Sequence, residues 1–137
     1  MDKISGTLII SFIALLGSVT GSLMGLFGGW DSLFKILMTL VVIDYLSGFI
    51  SSAAEGGLSS SIGFKGIAKK IFIFVLVAVA NMIDQLLGYQ YFIRNWTILF
   101  YIVNETLSII ENAHRVGLPI PPILKRTIKL LRNKIKD

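Results

Sequence analysis

The stretch that decides the fold is I-L-M-T-L-V-V-I-D-Y-L-S-G-F-I-S-S-A-A, Ile36 to Ala54, followed after a turn by S-I-G-F-K-G-I-A-K-K, Ser61 to Lys70. The first part is as long as a bilayer core requires and its only charge, Asp44, sits at its middle. An Asp at the centre of a membrane helix costs roughly 2.5 to 3.5 kcal/mol on the insertion scale, so Asp44 must face protein or water instead of lipid. On 100° spacing Asp44, Ser47, Gly48, Ser51 and Glu55 share one face, which gives this helix a polar stripe.

Composition agrees with a membrane class. Of 137 residues, 54% are apolar and 15% charged, and the mean hydropathy is +0.77. A soluble domain carries about 25% charged residues. The sequence has no cysteine, which excludes disulfides and thiolate metal sites, and a single histidine, His114, placed at a helix end near the headgroups. With them go the common nucleophile and metal arrangements, so neither an enzyme nor a cofactor is expected.

Before the central stretch, Ile4 to Trp30 carries no charge. It is too long for the apolar core of a secretory signal and has no A-x-A pattern, so it is expected to remain as a membrane helix. Gly17, Gly21, Gly25 and Gly29 recur every four residues along one face of it and are candidates for close helix packing, within the bundle or between chains. After the central stretch, Glu55 to Gly63 reads as a loop, and Lys65, Lys69 and Lys70 mark the approach to a third segment, Ile71 to Ile93. There Asn81, Asp84, Gln85 and Gly88 fall on one face.

Arg94 separates a weaker apolar stretch with Asn104 and Glu105 near its centre. Asn104, Ser108, Glu111, Asn112 and Arg115 lie on one side of that helix, and Phe100, Val103, Leu107 and Ile110 on the other. Alone it would insert marginally; paired with the preceding segment it can turn its polar stripe to partners. Gly117 to Pro122 ends it. Beyond, Leu124, Ile128, Leu131 and Ile135 make a narrow apolar stripe ringed by Lys125, Arg126, Lys129, Arg132, Lys134 and Lys136, the pattern of a helix on an anionic membrane surface or of a solvated tail that orients the chain. Nucleic-acid binding is not expected.

The expected architecture is an all-α integral membrane protein in one domain, 1–137. Its transmembrane helices fall at about 4–30, 36–54, 71–93 and 95–113, with a basic amphipathic helix at 123–136. With both termini in the cytoplasm, eleven basic residues lie inside and only Lys35 and Arg94 outside. Three spans with an external N-terminus give nine and four.

Several motifs, in order, resemble one family. V-I-D-Y-L-S-G (Val42–Gly48), S-S-I-G-F-K-G-I-A-K-K (Ser60–Lys70), F-Y-I-V-N-E-T-L-S-I-I-E-N (Phe100–Asn112) and G-L-P-I-P (Gly117–Pro121) are similar to the phage-lysis and toxin-secretion holin family. The resemblance implies a small protein of the host cytoplasmic membrane. It would form homo-oligomeric lesions through which a wall-degrading enzyme or a large toxin, its indirect partner, leaves the cell. It brings no catalytic residue.

Asp44, Asp84 and Glu105, each near the middle of its segment, require an explanation. They could be neutralised by protonation or hydrogen bonds within the bundle, face a water-lined lumen, or form an ion pathway or carboxylate metal site, and Ser47, Ser51, Asn81 and Gln85 would supply hydrogen bonds in any of these. An antiholin-like regulator and a small channel or transporter subunit use the same features.

Overall fold

The computed structural model describes the backbone of residues 3–136 and their side chains except those of Ser61, Ile62 and Lys136. Five helices follow in order: α1 (Lys3–Leu26), α2 (Ser32–Ala54), α3 (Ser60–Leu87), α4 (Phe92–Arg115) and α5 (Pro122–Lys136). The described residues contain no strand. α1, α2 and, from Gly63 to Leu87, α3 are long and apolar enough to cross a membrane. α4 matches them in length but its polar side chains lower its hydropathy below theirs.

Local chemistry moves the expected boundaries. The first helix ends at Leu26, not Trp30, because Gly28 and Gly29 turn to φ values of 81° and 102°, where the Gly29 N–H donates to Met24 O. Gly29 therefore leaves the face it was expected to share with Gly17, Gly21 and Gly25. α2 starts at Ser32, ahead of Ile36, because Asp31 caps it: Asp31 Oδ1 accepts from the Phe34 N–H at 3.0 Å. α3 begins at Ser60, so the expected loop shrinks to residues 55–59, and the lysines expected to precede the helix lie inside it. Its end comes at Gly88 (φ 71°), with the Tyr89 N–H donating to Asp84 O. Arg94 is no separator; it sits in the first turn of α4. α5 opens with Pro122 at its first position, where a missing N–H costs nothing.

α2 and α4 run parallel, joined by Asp31 and Arg94 at one end and by Glu55 and Arg115 at the other. α3 runs antiparallel beside α4. Phe34, Leu37 and Val41 of α2, Ile73 and Val77 of α3 and Ile98 of α4 form the buried apolar core, with Phe27 stacked on Phe34 at 5.1 Å between centroids. The α2 stripe that supplies this core continues, at the same spacing, into buried Asp44 and Ser51. Along α2 the buried stripe is thus apolar in the half nearer Asp31 and polar in the other.

Two helices stand apart. No α1 side chain is buried, and its backbone approaches only α3. α5 approaches only α4, burying Ile128 while Leu124 and Leu131 stay exposed.

Candidate functional site

The polar half of the bundle is organised around Lys70. Its ammonium, one-fifth exposed, donates to Asp44 Oδ2 of α2 and, at 2.5 Å, to Glu105 Oε2 of α4. Asp44 and Glu105 are each 5% exposed. Asn112 Nδ2 adds donors to Asp44 Oδ1 at 3.1 Å and Ser47 Oγ at 2.9 Å. Ser47 and Ser51 turn their hydroxyls back to carbonyls of their own helix. Gly48 lies against the Asn112 amide, 3.5 Å from where a Cβ would sit. Among the described residues no buried side-chain nitrogen or oxygen lacks a hydrogen-bond partner. Two carboxylates share one ammonium, so the cluster is short of one positive charge when both are ionised, in surroundings where charge is poorly screened.

A second cluster lies at the Asp31 end. Arg94 is fully buried; its Nε donates to Phe27 O at 2.5 Å, Nη2 to Gly29 O at 3.2 Å, and both terminal nitrogens to the Asp31 carboxylate at 2.6 and 3.1 Å. That hydrogen-bonded guanidinium holds the Asp31 carboxyl below its ordinary pKa, against the opposing effect of its partial burial. Asn81 Nδ2 donates to Leu26 O at 3.1 Å. Asp84, 1% exposed, accepts from the Ile93 and Arg94 N–H groups at 2.8 Å each and so caps α4 from the preceding helix. Together these contacts dock the corner between α1 and α2 onto α3 and α4. At the opposite end Arg115 grips Glu55 with two hydrogen bonds, 2.6 and 3.1 Å, which lowers the pKa of the Glu55 carboxyl.

The three mid-helix carboxylates are not gathered into one site: Asp44 and Glu105 share Lys70, while Asp84 is spent on backbone donors. Nor does the expected polar side of the fourth helix face inward as a whole. Its inward face carries Arg94, Ile98, Glu105 and Asn112, because that register meets Asp31 and Lys70; Asn104 and Glu111 point outward and Ser108 is half-buried. Gln85 is exposed. A Cβ built at Gly17, Gly21 or Gly25 meets nothing within 4 Å, so that face is open in the single chain. Lys125, Arg126, Lys129, Arg132 and Lys134 are exposed; the Lys136 side chain lies outside the described residues.

The residues missed as site members include Lys70, Arg94 and its partner Asp31. A signal for the first was present: extending the Asn81–Asp84 face back along α3 reaches Val77, Ile73 and then Lys70, all on one stripe.

A family profile described as the bacteriophage holin family matches residues 21–133, which takes in every residue of both clusters. The chain belongs to the bacteriophage holin family. Its relatives include an uncharacterized protein of Listeria innocua, 46% identical over 94% of this chain and 91% of its own length. An uncharacterized 14.9 kDa protein in the nagH 3′ region of Clostridium perfringens is 42% identical over 80% of this chain and 83% of its own. The uncharacterized protein YtkC of Bacillus subtilis is 35% identical over 99% and 98%. No solved structure matches the chain. Holin-family membership and three membrane-length apolar helices make this a holin-like membrane protein, of a family that is not enzymatic.

Proposed function

We propose that the chain acts as a holin in the full sense: copies assemble in the bacterial cytoplasmic membrane, with four spans and both termini inside, and open lesions that release a wall hydrolase or a large toxin. The observation that carries the reading is the charged seam running the length of the paired helices α2 and α4, from Arg94–Asp31 through Lys70–Asp44 and Lys70–Glu105 to Arg115–Glu55. The fourth span is supported by α4 running parallel to α2 and being bonded to it at both ends. In the single chain the seam is closed on itself. Separated helices would present the same groups to water, which is the surface a water-filled lesion requires. Asn104 on the outer face of α4 supports contact between chains, since a lipid-facing amide is costly.

The test is inducible expression in a bacterium with and without a cytoplasmic wall hydrolase. The expected result is abrupt loss of membrane potential in both and lysis only with the hydrolase. Accumulation without depolarisation points to an antiholin-like regulator, and passage of small ions alone to a channel. A cysteine at Ser60 should be shielded from an impermeant reagent in intact cells and one at Gln90 should react; the reverse excludes the internal termini.

A further inference from the structure

α2 and α3 are joined by only residues 55–59 and meet again farther along, where Lys70 reaches Asp44 and Phe74 packs on Phe34. Between them and the C-terminal part of α4 runs a cleft of about 870 Å³, which starts at the connecting loop and reaches down to Asp44, Lys70 and Asn112. That volume falls within the range of about 300–1,000 Å³ that ligand sites occupy. Its outer walls are apolar and open sideways: Phe49 of α2 is 53% exposed and Phe64 of α3 is 73% exposed. Between these walls the lining is cationic and hydroxylic. Lys70 and Arg115 are already paired, but Lys69 has no ion-pair partner, and the Ser52 and Ser108 hydroxyls make no hydrogen bond, among the described residues.

We propose that this cleft is a binding site for one anionic phospholipid, with its phosphate drawn to Lys69 and the free serine hydroxyls and an acyl chain lying against Phe49 and Phe64. The inference requires α2 and α3 to be in a membrane and does not rest on lesion formation. A basic pocket between membrane helices on the side rich in Lys and Arg is matched to an anionic headgroup. A zwitterionic headgroup brings its own ammonium toward Lys69 and loses the advantage. Water alone would leave two phenyl rings wet along the cleft's outer walls. A second copy is the other candidate, and the helix free to reach across is α1, but from Lys3 to Leu26 it carries no acidic residue to meet Lys69.

The test uses the full chain with Trp30 and Trp96 changed to Phe and Phe49→Trp as a reporter. It is reconstituted in phosphatidylcholine vesicles doped with brominated phosphatidylglycerol or brominated phosphatidylcholine. Phosphatidylglycerol is expected to quench at a several-fold lower mole fraction. Lys69→Gln should reduce that preference about five-fold, the value of one basic residue at an anionic surface, and Lys129→Gln on α5 should preserve it. Phe64→Trp, on the opposite wall, is the second reporter if Phe49→Trp misfolds. Equal quenching by the two lipids, or equal loss from Lys69→Gln and Lys129→Gln, overturns the proposal. Displacement by millimolar inorganic phosphate also overturns it, in favour of a free-phosphate site. So does quenching by neither lipid together with cross-linking between Phe49→Cys copies, in favour of a second chain.

Discussion

The Lys70 ammonium sits 2.5 Å from Glu105 Oε2, across 35 residues of sequence, and its other partner is Asp44. Breaking a buried pair by removing one member leaves the remaining charge uncompensated, at a cost of about 3–5 kcal/mol. Lys70→Gln strands two carboxylates at once. The variant is expected to lose thermal stability in detergent and to accumulate poorly in membranes. Combining it with Asp44→Asn and Glu105→Gln should restore much of the loss, because amides in all three places can bond to one another without charge. No recovery in the triple variant would show that Lys70 matters for its shape alone.

Asp31 and Arg94 predict an acid-sensitive corner. The carboxyl has its pKa lowered from 3.8 in the fold, so its contribution is complete above the unfolded value and disappears as pH falls through the lower folded one. The effect is modest, since the Asp31 side chain is 47% exposed and screened by solvent. Trp30 packs edge-on to Phe34 at 5.5 Å and reports on the corner. Its fluorescence should change below about pH 4 in the native protein. Asp31→Asn, which keeps a capping oxygen but not the charge, should show the altered signal at neutral pH and a smaller acid transition. Identical titrations of the two would remove Arg94–Asp31 as the cause.

Gly28 should tolerate no side chain. Its φ is 81°, and a Cβ would lie 2.7 Å from Arg94 Nε and 2.8 Å from Asn81 Oδ1, the two groups that hold the corner. Gly28→Ala combines backbone strain of about 1–2 kcal/mol with displacement of a buried guanidinium. Limited proteolysis should cut the α1–α2 corner faster in this variant. At Gly29, where a Cβ meets nothing, only the backbone term applies and the effect should be smaller.

The first three apolar helices were legible because length and uniform apolarity speak for themselves, and Asp44 stood out because one charge interrupts such a run. The place of Lys70 on the inward face of α3 could be traced, but its pairing with Asp44 could not. Periodicity reports which residues share a face within a helix, whereas the bonds to Lys70 join three different helices. In the sequence Lys69-Lys70 reads as a pair of interfacial cations, and only the early start of α3 at Ser60 carries the second into the bundle. Arg94 was hidden for the same reason, with its carboxylate 63 residues away. On α4 the 100° rule grouped Asn104 and Glu111 with Asn112, but the register that meets Lys70 and Asp31 selects Glu105 and Arg94 instead.

The charge count around Lys70 makes a prediction about timing. Asp44 and Glu105 share one ammonium, so when both are ionised the closed bundle holds an excess negative charge that water would stabilise better, and this favours an arrangement that admits water. Asp44→Leu leaves Lys70 and Glu105 one to one, and Asn112 keeps the Ser47 hydroxyl as an acceptor. If the proposed lesion forms by opening this seam, induced cells carrying Asp44→Leu and a wall hydrolase should lyse late or not at all at equal membrane abundance. Asp44→Asn should be milder, because it retains a hydrogen-bonding side chain while removing the charge. Glu105→Gln offers an independent check, since it corrects the same imbalance from the opposite helix and should delay lysis as well. Lysis on the native schedule in both Asp44→Leu and Glu105→Gln would separate this cluster from the opening step; delay in one alone would trace the effect to that side chain's contacts and not to the charge of the cluster.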